Sequence, residues 1–320
     1  MADRDLVALG ECMVELSSVE PLSTASSLTV RYAGDVLNTL TVAARLGART
    51  GFVTRVGRDP FAERMRAAWL AEGVDLTHAP LVDGVNGVYF ISVDGNGERE
   101  FTYRRAGSAA STLAPEDVDP GYLAGSRAVL LSGITQAISA SAQQATAYAA
   151  RVAREAGCLV AYDPNHRPAL WAVRGGPEAA RAAAAEVLPW VDVLLPSVPS
   201  DLVALPVDAP DRATTGAAAH ALLAGLAPTV AVKDGAAGVY VGPAGGTEHV
   251  PAVPPERVVD TSGAGDAWNA AFLVALLRGG GAADAARAAN RVASRTVAHR
   301  GAIPPRDADL TLPESGAPPL

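Results

Sequence analysis

The chain has 320 residues, 49% hydrophobic and 19% charged, and these proportions indicate a globular protein with a substantial core. Its net charge of −8 argues against a nucleic-acid partner, because an acidic surface repels phosphate backbones. No apolar run approaches the roughly 18 residues that span a bilayer, and the first residues do not resemble a signal peptide. Two cysteines, Cys12 and Cys158, are too few for a disulfide scaffold. We therefore expect a cytoplasmic protein that binds neither nucleic acid nor membranes.

Strand-like and helix-like segments alternate along most of the chain. The first four predicted elements are a strand, a helix, a strand and a helix, at residues 6–9, 36–46, 52–56 and 60–72. Further strands are predicted at residues 128–132, 158–162, 192–195 and 229–233, and helices at residues 139–156, 177–187 and 211–224. Repeated strand–helix–strand units indicate a parallel sheet with helices on both faces, and they place ligands at the carboxyl ends of the strands.

One segment interrupts this alternation. Strand-like runs at 88–93 and 98–105 are joined by Asp94-Gly95-Asn96-Gly97, a hairpin turn sequence. Period-two alternation places Phe101, Tyr103 and Arg105 on one face of the second run. Because no predicted helix covers this hairpin, we expect it to meet a ligand, a second subunit, or both.

The segment Asp260-Thr261-Ser262-Gly263-Ala264-Gly265-Asp266 precedes a helical run that extends to Leu277. A glycine-rich turn that opens a helix presents free backbone N–H groups to an anion such as phosphate. Asp266 in the first turn would accept a proton from a hydroxyl that attacks this phosphate. The residue types alone equally allow an ordinary glycine turn followed by a first-turn aspartate. The segment matches neither the Walker loop nor the GxGxxG dinucleotide motif.

At this segment the chain resembles the ribokinase-like (PfkB) family of sugar kinases, whose C-terminal signature is DTxGAGD. The N-terminal signature is matched by residues 34–38, 44–47 and 57–61, and the resemblance extends over residues 5–303. It implies an α/β fold with a Rossmann-type three-layer α/β/α core and a small β-sheet lid. It also implies that Asp266 is the catalytic base and that Gly263, Ala264 and Gly265 form the anion hole.

The resemblance further implies a domain organisation. Residues 1–304 would form one ribokinase-like domain with lid strands near residues 11–17 and 86–105. Residues 305–320 are rich in proline, glycine and acidic residues, so we predict a loose C-terminal tail. Apolar residues on both faces of the hairpin favour packing between the lids of two subunits, which predicts a dimer or a larger homo-oligomer.

Within the family, residues 101–110 and 163–171 are similar to kinases that act on 2-keto-3-deoxygluconate. The implied substrate contacts are Gly34, Asp35, Asn38, Tyr89, Tyr103, Arg105, Arg167 and Asp266. A pair of guanidinium groups suits the carboxylate of a sugar acid, which a neutral hexose lacks. Fructose, 5-dehydro-2-deoxygluconate and a galactonate epimer remain open as substrates. A sugar or nucleotide sensor without turnover is the alternative outside the kinases.

The resemblance implies ATP and Mg²⁺ as cofactors. The implied nucleotide contacts are Asn165, Arg167, Ser197, Lys233, Gly235, Gly238, Gly263, Gly265 and Asn290. Lys233 is the only lysine among 26 basic residues, and it stands in a segment similar to the family's VKxGxxG nucleotide loop. The chain departs from the family at Ser197 and Ser200, which replace the usual Asn-x-x-Glu of the metal site. Asp201 could substitute for that glutamate, but the sequence leaves the metal ligands unassigned.

Overall fold

The computed structural model describes residues 2–93, 99–208 and 215–312. Within them, a large sheet contains nine strands in the order β15-β14-β13-β12-β11-β10-β1-β4-β6. The strands of this sheet are β1 (Arg4–Leu9), β4 (Thr50–Val53), β6 (Val74–Asp75), β10 (Ser126–Ser132), β11 (Leu159–Asp163), β12 (Val193–Leu194), β13 (Thr229–Lys233), β14 (Val239–Gly242) and β15 (Glu248–Val250). All pairings are parallel except those of β13 with β14 and of β14 with β15.

Helices cover both faces of this sheet. One face carries α1 (Asp35–Arg45), α2 (Ala62–Ala71), α9 (Ala264–Leu277) and α10 (Ala282–Thr296). The other carries α3 (Pro120–Ala124), α5 (Ala140–Glu155), α7 (Gly176–Val187) and α8 (Gly216–Leu223). Alternate residues of β1 enter the two cores, Leu6 and Ala8 on one face and Val7 and Leu9 on the other. A strand that is covered on both faces contains consecutive apolar residues, as β1 does at residues 6–9. The predicted three-layer α/β/α fold is confirmed.

A smaller sheet lies over the carboxyl ends of the large one, and we call it the lid. It has four strands in the order β3-β2-β8-β9. Its strands are β2 (Met13–Ser17), β3 (Thr29–Ala33), β8 (Val88–Val93) and β9 (Arg99–Arg104). The predicted hairpin pairs as expected, with Tyr89 opposite Tyr103, while its turn at 94–97 lies outside the described residues.

The far face of the lid is covered, which the sequence did not predict. Leu16, Val30 and Val88 pack against the main core of the protein. The alternate residues of the same strands, such as Glu15, Arg31 and Tyr89, line a cavity instead. Strand β3 was also missed, because its exposed and half-buried residues carry little apolar signal.

Several predicted boundaries differ from the structure. The strand expected at 52–56 stops at Val53, and β5 (Val56–Gly57) pairs instead with β7 (Leu81–Val82) in a separate two-stranded sheet. The helix expected at 139–156 is α5, which Ser139 caps by accepting the Ala142 N–H, and a shorter helix, α4 (Gly133–Ile138), precedes it. One more short helix, α6 (Pro168–Ala172), follows β11. Residues 211–214 of the helix expected at 211–224 lie outside the described residues.

The described part of the C-terminal tail is docked rather than loose. Leu310 is 5% exposed and belongs to the main core, and Arg306 pairs with Glu72 of the α2 C-terminus at 3.0 Å. One apolar and one charged side chain anchor a segment whose average composition suggests a free tail. Residues 313–320 lie outside the described residues. No described helix is long and apolar enough to cross a membrane.

Candidate active site

Two neighbouring cavities open at the carboxyl ends of the central strands. The large cavity, of about 1640 Å³, lies between the lid and the starts of α1 and α9. The small cavity, of about 320 Å³, lies beside it. The residues that line both are Arg167, Thr261, Ser262, Gly263 and Asp266. The predicted base therefore borders the two spaces together.

Asp266 lies in the first turn of α9, where backbone N–H groups lack partners within the helix and suit an anion, although that of Ala264 donates to the Thr261 carbonyl at 3.3 Å. Its carboxylate accepts a hydrogen bond of 2.8 Å from the side-chain amide of Asn38. Burial and the nearby charge of Asp35 raise the pKa of Asp266 to about 7. A carboxyl group with this pKa can both take up and release a proton near neutral pH, as a general base must.

The turn before α9 requires glycine at position 263. Gly263 has a φ of +72°, and a Cβ atom there would lie 2.1 Å from the carbonyl oxygen of Ala302. The backbone at Ala302 therefore lies directly against the turn and fixes its position. The start of α9 is positioned by tertiary packing as well as by its own sequence.

Asp35 begins α1 and lines the large cavity. It accepts hydrogen bonds from the hydroxyl of Ser132 and, at 3.0 Å, from the side-chain amide of Asn165. Asn165 adopts a φ of +38°, and its own N–H donates to Asp163. Burial raises the pKa of Asp35. The hydrogen bond from Asn165 therefore links Asp35, which lines the large cavity, to the loop after β11, which lines the small cavity.

Lys233 ends β13 at the small cavity. Its ammonium group donates to Asp163 at 2.8 Å and to the side-chain oxygen of Asn269 at 3.0 Å, and the residue is 8% exposed. A compact ammonium with three donors fits this confined site, whereas a planar guanidinium would need more room. This geometry gives a physical reason for the single lysine in an arginine-rich chain.

Asp201 lines the small cavity together with Ser197 and Ser200. Its carboxylate accepts hydrogen bonds from the backbone N–H groups of Ser197 and His166, and burial raises its pKa. Among the described residues, no group of three or more His, Cys, Asp or Glu side chains is arranged to hold a metal ion. Asp163, Asp201 and Ser197, whose side chains carry oxygen atoms, nevertheless line one cavity. That donor set fits Mg²⁺, which usually takes one or two carboxylates and fills its other positions with water and phosphate.

The lid contributes aromatic and charged side chains to the large cavity. Tyr89 donates its hydroxyl hydrogen to Glu15 at 2.5 Å and stacks on Tyr103 with ring centres 5.7 Å apart. Arg105 forms an ion pair with Glu11. Glu11 and Glu15 were missed by sequence reasoning, although two glutamates beside the apolar residues of β2 were a visible signal.

Gly34 packs against the carbonyl of Glu11, where a Cβ atom would lie 2.0 Å away. Asn290 accepts from the indole N–H of Trp268 and donates to the carbonyl of Pro251. Within the described part of the chain, Gly235, Gly238 and Asn290 line neither cavity. Their contacts with nucleotide stay predictions.

A parallel α/β sheet with a lid, a helix N-terminus suited to phosphate and a carboxyl group of raised pKa define a class of protein, the small-molecule kinases. The family model described as pfkB family carbohydrate kinase matches residues 3–309. The chain belongs to the PfkB family, which confirms the resemblance seen in its motifs, and it is a sugar kinase.

Individual relatives agree with this assignment. The 2-dehydro-3-deoxygluconokinase of Dickeya dadantii is 34% identical, over 96% of this chain and 99% of the relative. The crystal structure of a PfkB protein from Polaromonas sp. is 30% identical with a TM-score of 0.82, and covers 94% of this chain and 97% of that one. A putative ribokinase II from E. coli in complex with ATP and Mg²⁺ is 25% identical with a TM-score of 0.82, over 94% of both chains.

Proposed function

We propose that this sugar kinase transfers the γ-phosphoryl group of ATP to the primary hydroxyl of 2-keto-3-deoxygluconate (2-dehydro-3-deoxygluconate), giving the 6-phosphate. The observation that carries the proposal is the position of Asp266, half-buried at the junction of the large and small cavities with a pKa raised to about 7. The sugar would occupy the large cavity, and the phosphates of ATP the small one. The name of the Dickeya relative supports this substrate.

In the proposed reaction, Asp266 takes the proton of the sugar 6-hydroxyl group while the oxygen of that hydroxyl group attacks the γ-phosphorus atom of ATP. The bond from this phosphorus to the bridging oxygen breaks, and ADP leaves with that oxygen. The N–H groups at the start of α9 stabilise the charge that develops on the transferred group. Positioning and electrostatics supply most of the rate enhancement in such transfers.

We further propose that Mg²⁺ accompanies ATP in the small cavity, next to Asp163 and Asp201. The ion would neutralise charge on the phosphates. Lys233 would hold Asp163 in place, and Asn165 and Arg167 would lie close to the phosphates. Asn290 would serve indirectly, since its amide group is bonded to Trp268 and to the segment at Pro251.

Substrate recognition would come from the lid and from the loop after β11. Arg105 and Arg167 both line the large cavity, and a carboxylate can accept hydrogen bonds from either. Tyr89 and Tyr103 would pack on the carbon chain of the sugar. Gly34, Asp35 and Asn38, near the start of α1, would contact its hydroxyl groups.

A neutral ketose such as fructose is the second candidate substrate. Glu11 already neutralises the charge of Arg105 in the structure, so this arginine does not by itself create a strongly cationic pocket. Binding of a neutral sugar beside this ion pair would therefore cost less desolvation free energy than binding beside an unpaired arginine.

A substrate panel tests the proposal. ADP release is measured with 2-keto-3-deoxygluconate, its galactonate epimer, 5-dehydro-2-deoxygluconate and fructose, with and without Mg²⁺. We expect kcat/KM for the sugar acid to exceed that for fructose by at least about tenfold, and Arg105→Ala to narrow this ratio by weakening the reaction of the acid. Arg151→Ala, which removes an exposed arginine paired within α5, is the control and should leave the ratio unchanged.

Two results would contradict the proposal. Fructose as the better substrate, or an equal loss for both sugars in Arg105→Ala, would indicate a kinase for neutral sugars. Binding of the acid without ADP release would indicate a sensor.

A further inference from the structure

Glu11 is a buried carboxylate in the wall of the large cavity, directly behind Arg105. The residue is 3% exposed, and its side chain forms an ion pair with the Arg105 guanidinium. Its other carboxylate oxygen accepts a hydrogen bond of 2.7 Å from the hydroxyl of Ser108. One oxygen is therefore hydrogen-bonded and the other is in ion-pair contact without a hydrogen bond, and both partners lie in the segment that follows β9.

The packing around this ion pair leaves little freedom. A Cβ atom on Gly87 would lie 2.8 Å from a carboxylate oxygen of Glu11 and 3.3 Å from the Cβ of Arg105. The side chain of Arg105 is only 11% exposed. Its Nε–H group is buried and has no hydrogen-bond partner among the described residues. Arg105 is thus held in place with its charge balanced, and one of its buried donors has no partner among the described residues.

This arrangement has two opposite effects on an anionic ligand. Glu11 orients the guanidinium group, which lowers the entropy lost when a carboxylate binds. The negative charge of Glu11 also repels that carboxylate, and this repulsion is weakly screened because the pair is buried. A neutral ligand is not repelled by the charge of Glu11, so it experiences only the orientation of the Arg105 guanidinium group.

We infer that Glu11 is a specificity-determining residue, which positions Arg105 and sets how strongly the pocket prefers a sugar acid over a neutral sugar. The inference rests on the proposed function, because it takes a sugar acid as the ligand of Arg105. Glu11 acts through Arg105 and is a positioning residue rather than a catalytic one.

Glu11→Gln separates the charge from the geometry. The glutamine oxygen can accept from Arg105, and its amide can donate to Ser108, since a hydroxyl group both donates and accepts. The substitution therefore keeps the orientation of Arg105 and removes the repulsion. Glu72→Gln, which alters a carboxylate paired with Arg45 and Arg306 far from both cavities, is the matched control.

The test is a double-mutant cycle on dissociation constants, measured by calorimetry in the absence of ATP. Glu11→Gln should lower the Kd of 2-keto-3-deoxygluconate by at least about threefold and change that of fructose by less than about twofold. In an Arg105→Ala background the same substitution should have no effect on the acid. Glu72→Gln should change neither Kd. An unchanged or raised Kd of the acid in Glu11→Gln, or an equal gain without Arg105, would overturn the inference.

A second variant covers the case in which Glu11→Gln does not fold. Glu11→Asp keeps the charge but shortens the side chain by one methylene, so it should weaken binding of the acid and leave fructose unaffected; no change would again overturn the inference. The proposed function is judged separately, by turnover in the wild type. An acid that binds with the expected coupling but is not phosphorylated contradicts the function alone, and an acid that is phosphorylated without coupling contradicts the inference alone.

Discussion

At the scale of single residues, the chemistry depends on how the protein controls one carboxyl group. Burial and the charge of Asp35 favour the protonated form of Asp266, while the hydrogen bond from Asn38 and the charge of Lys233 favour the ionised form. In the proposed role of Asp266 as base, this balance leaves a carboxylate that is strong enough to take a proton and is ionised in a large fraction of molecules at neutral pH. A free aspartate would be ionised but a much weaker base.

The raised pKa predicts the pH dependence of the reaction. Because Asp266 must be ionised to accept a proton, kcat/KM should rise with pH through about 7 and level off above it. Asp35→Asn removes one cause of the raised pKa, so the same rise should occur at lower pH. The measurement is kcat/KM at saturating ATP over a series of buffers. A profile that is flat across the neutral range would contradict the role of Asp266.

Replacing Asp266 by Asn tests the base directly. The variant keeps the shape and the oxygen that accepts from Asn38, but it cannot take up the proton. We expect kcat to fall by about 10²–10⁴ with KM little changed. Retention of more than about a tenth of the activity would contradict the assignment, since that loss corresponds to only about 1.4 kcal/mol.

The stability of the same variant is its control. The pKa of Asp266 is higher in the folded protein than in the unfolded chain, so ionisation reduces stability as pH rises from about 4 to about 7. Asp266→Asn removes this cost and should raise the free energy of unfolding by about 1–3 kcal/mol at pH 8, with no gain below pH 4. Denaturant unfolding at the two pH values measures this difference. A destabilised variant would mean that its loss of activity has a structural cause.

At the scale of elements, the site is assembled from the ends of strands and the starts of helices. Asp163 ends β11, Lys233 ends β13 and Asn269 lies in α9, and hydrogen bonds join the three. Parallel strands bring their carboxyl ends to one edge of the sheet, which is why residues far apart in sequence meet there. The glycine turn before α9 lines the same small cavity as Asp163 and Lys233.

Two glycines flanking α9 allow a matched comparison. Gly263 and Gly279 both have positive φ, but a Cβ atom would strike the Ala302 carbonyl only at Gly263 and would meet nothing within 4 Å at Gly279. Each alanine should cost about 1–2 kcal/mol of backbone strain. Gly263→Ala should in addition displace the turn and lower kcat by more than about tenfold, whereas Gly279→Ala should keep nearly full kcat. Steady-state kinetics and thermal unfolding of both variants measure this, and equal kcat values would contradict a positioned anion site.

At the scale of the whole molecule, the lid leaves an exposed edge. Strand β9 is at the edge of the lid sheet, and Phe101 and Tyr103 are 42% and 47% exposed. Unpaired edge strands and exposed aromatic side chains favour association. Much of the far face of the lid packs on the protein's own core, which leaves mainly the edge and the cavity side for contact with another subunit.

We expect this edge to pair with the lid of a second subunit and to give at least a dimer. Light scattering at micromolar concentration, with the 32.6 kDa chain mass as the reference, measures the assembly. A particle of one chain mass at these concentrations would contradict the prediction.

Local signals in the sequence were sufficient for the fold class and for the start of α9. Continuous apolar strands alternating with helical periodicity predicted the three-layer sheet, and the Gly263–Asp266 turn predicted the start of α9. The hairpin of β8 and β9 was predictable because alternation and turn residues are short-range features. The break after Val53 and the docking of Leu310 were not, because they depend on distant packing partners.

The sequence alone determined which residue types are available for phosphoryl transfer, and the tertiary structure decided how they act. Asn38 reaches Asp266 across 228 positions, and Tyr89 reaches Glu15 across 74. The pKa of Asp266 near 7 arises from burial and from Asp35, neither of which a motif encodes. Arg105 could be recognised from its strand, but its pairing with Glu11 appears only in the folded protein. Charge and burial are properties of the folded surroundings, and for this reason the reactivity of the site could not be read from the chain.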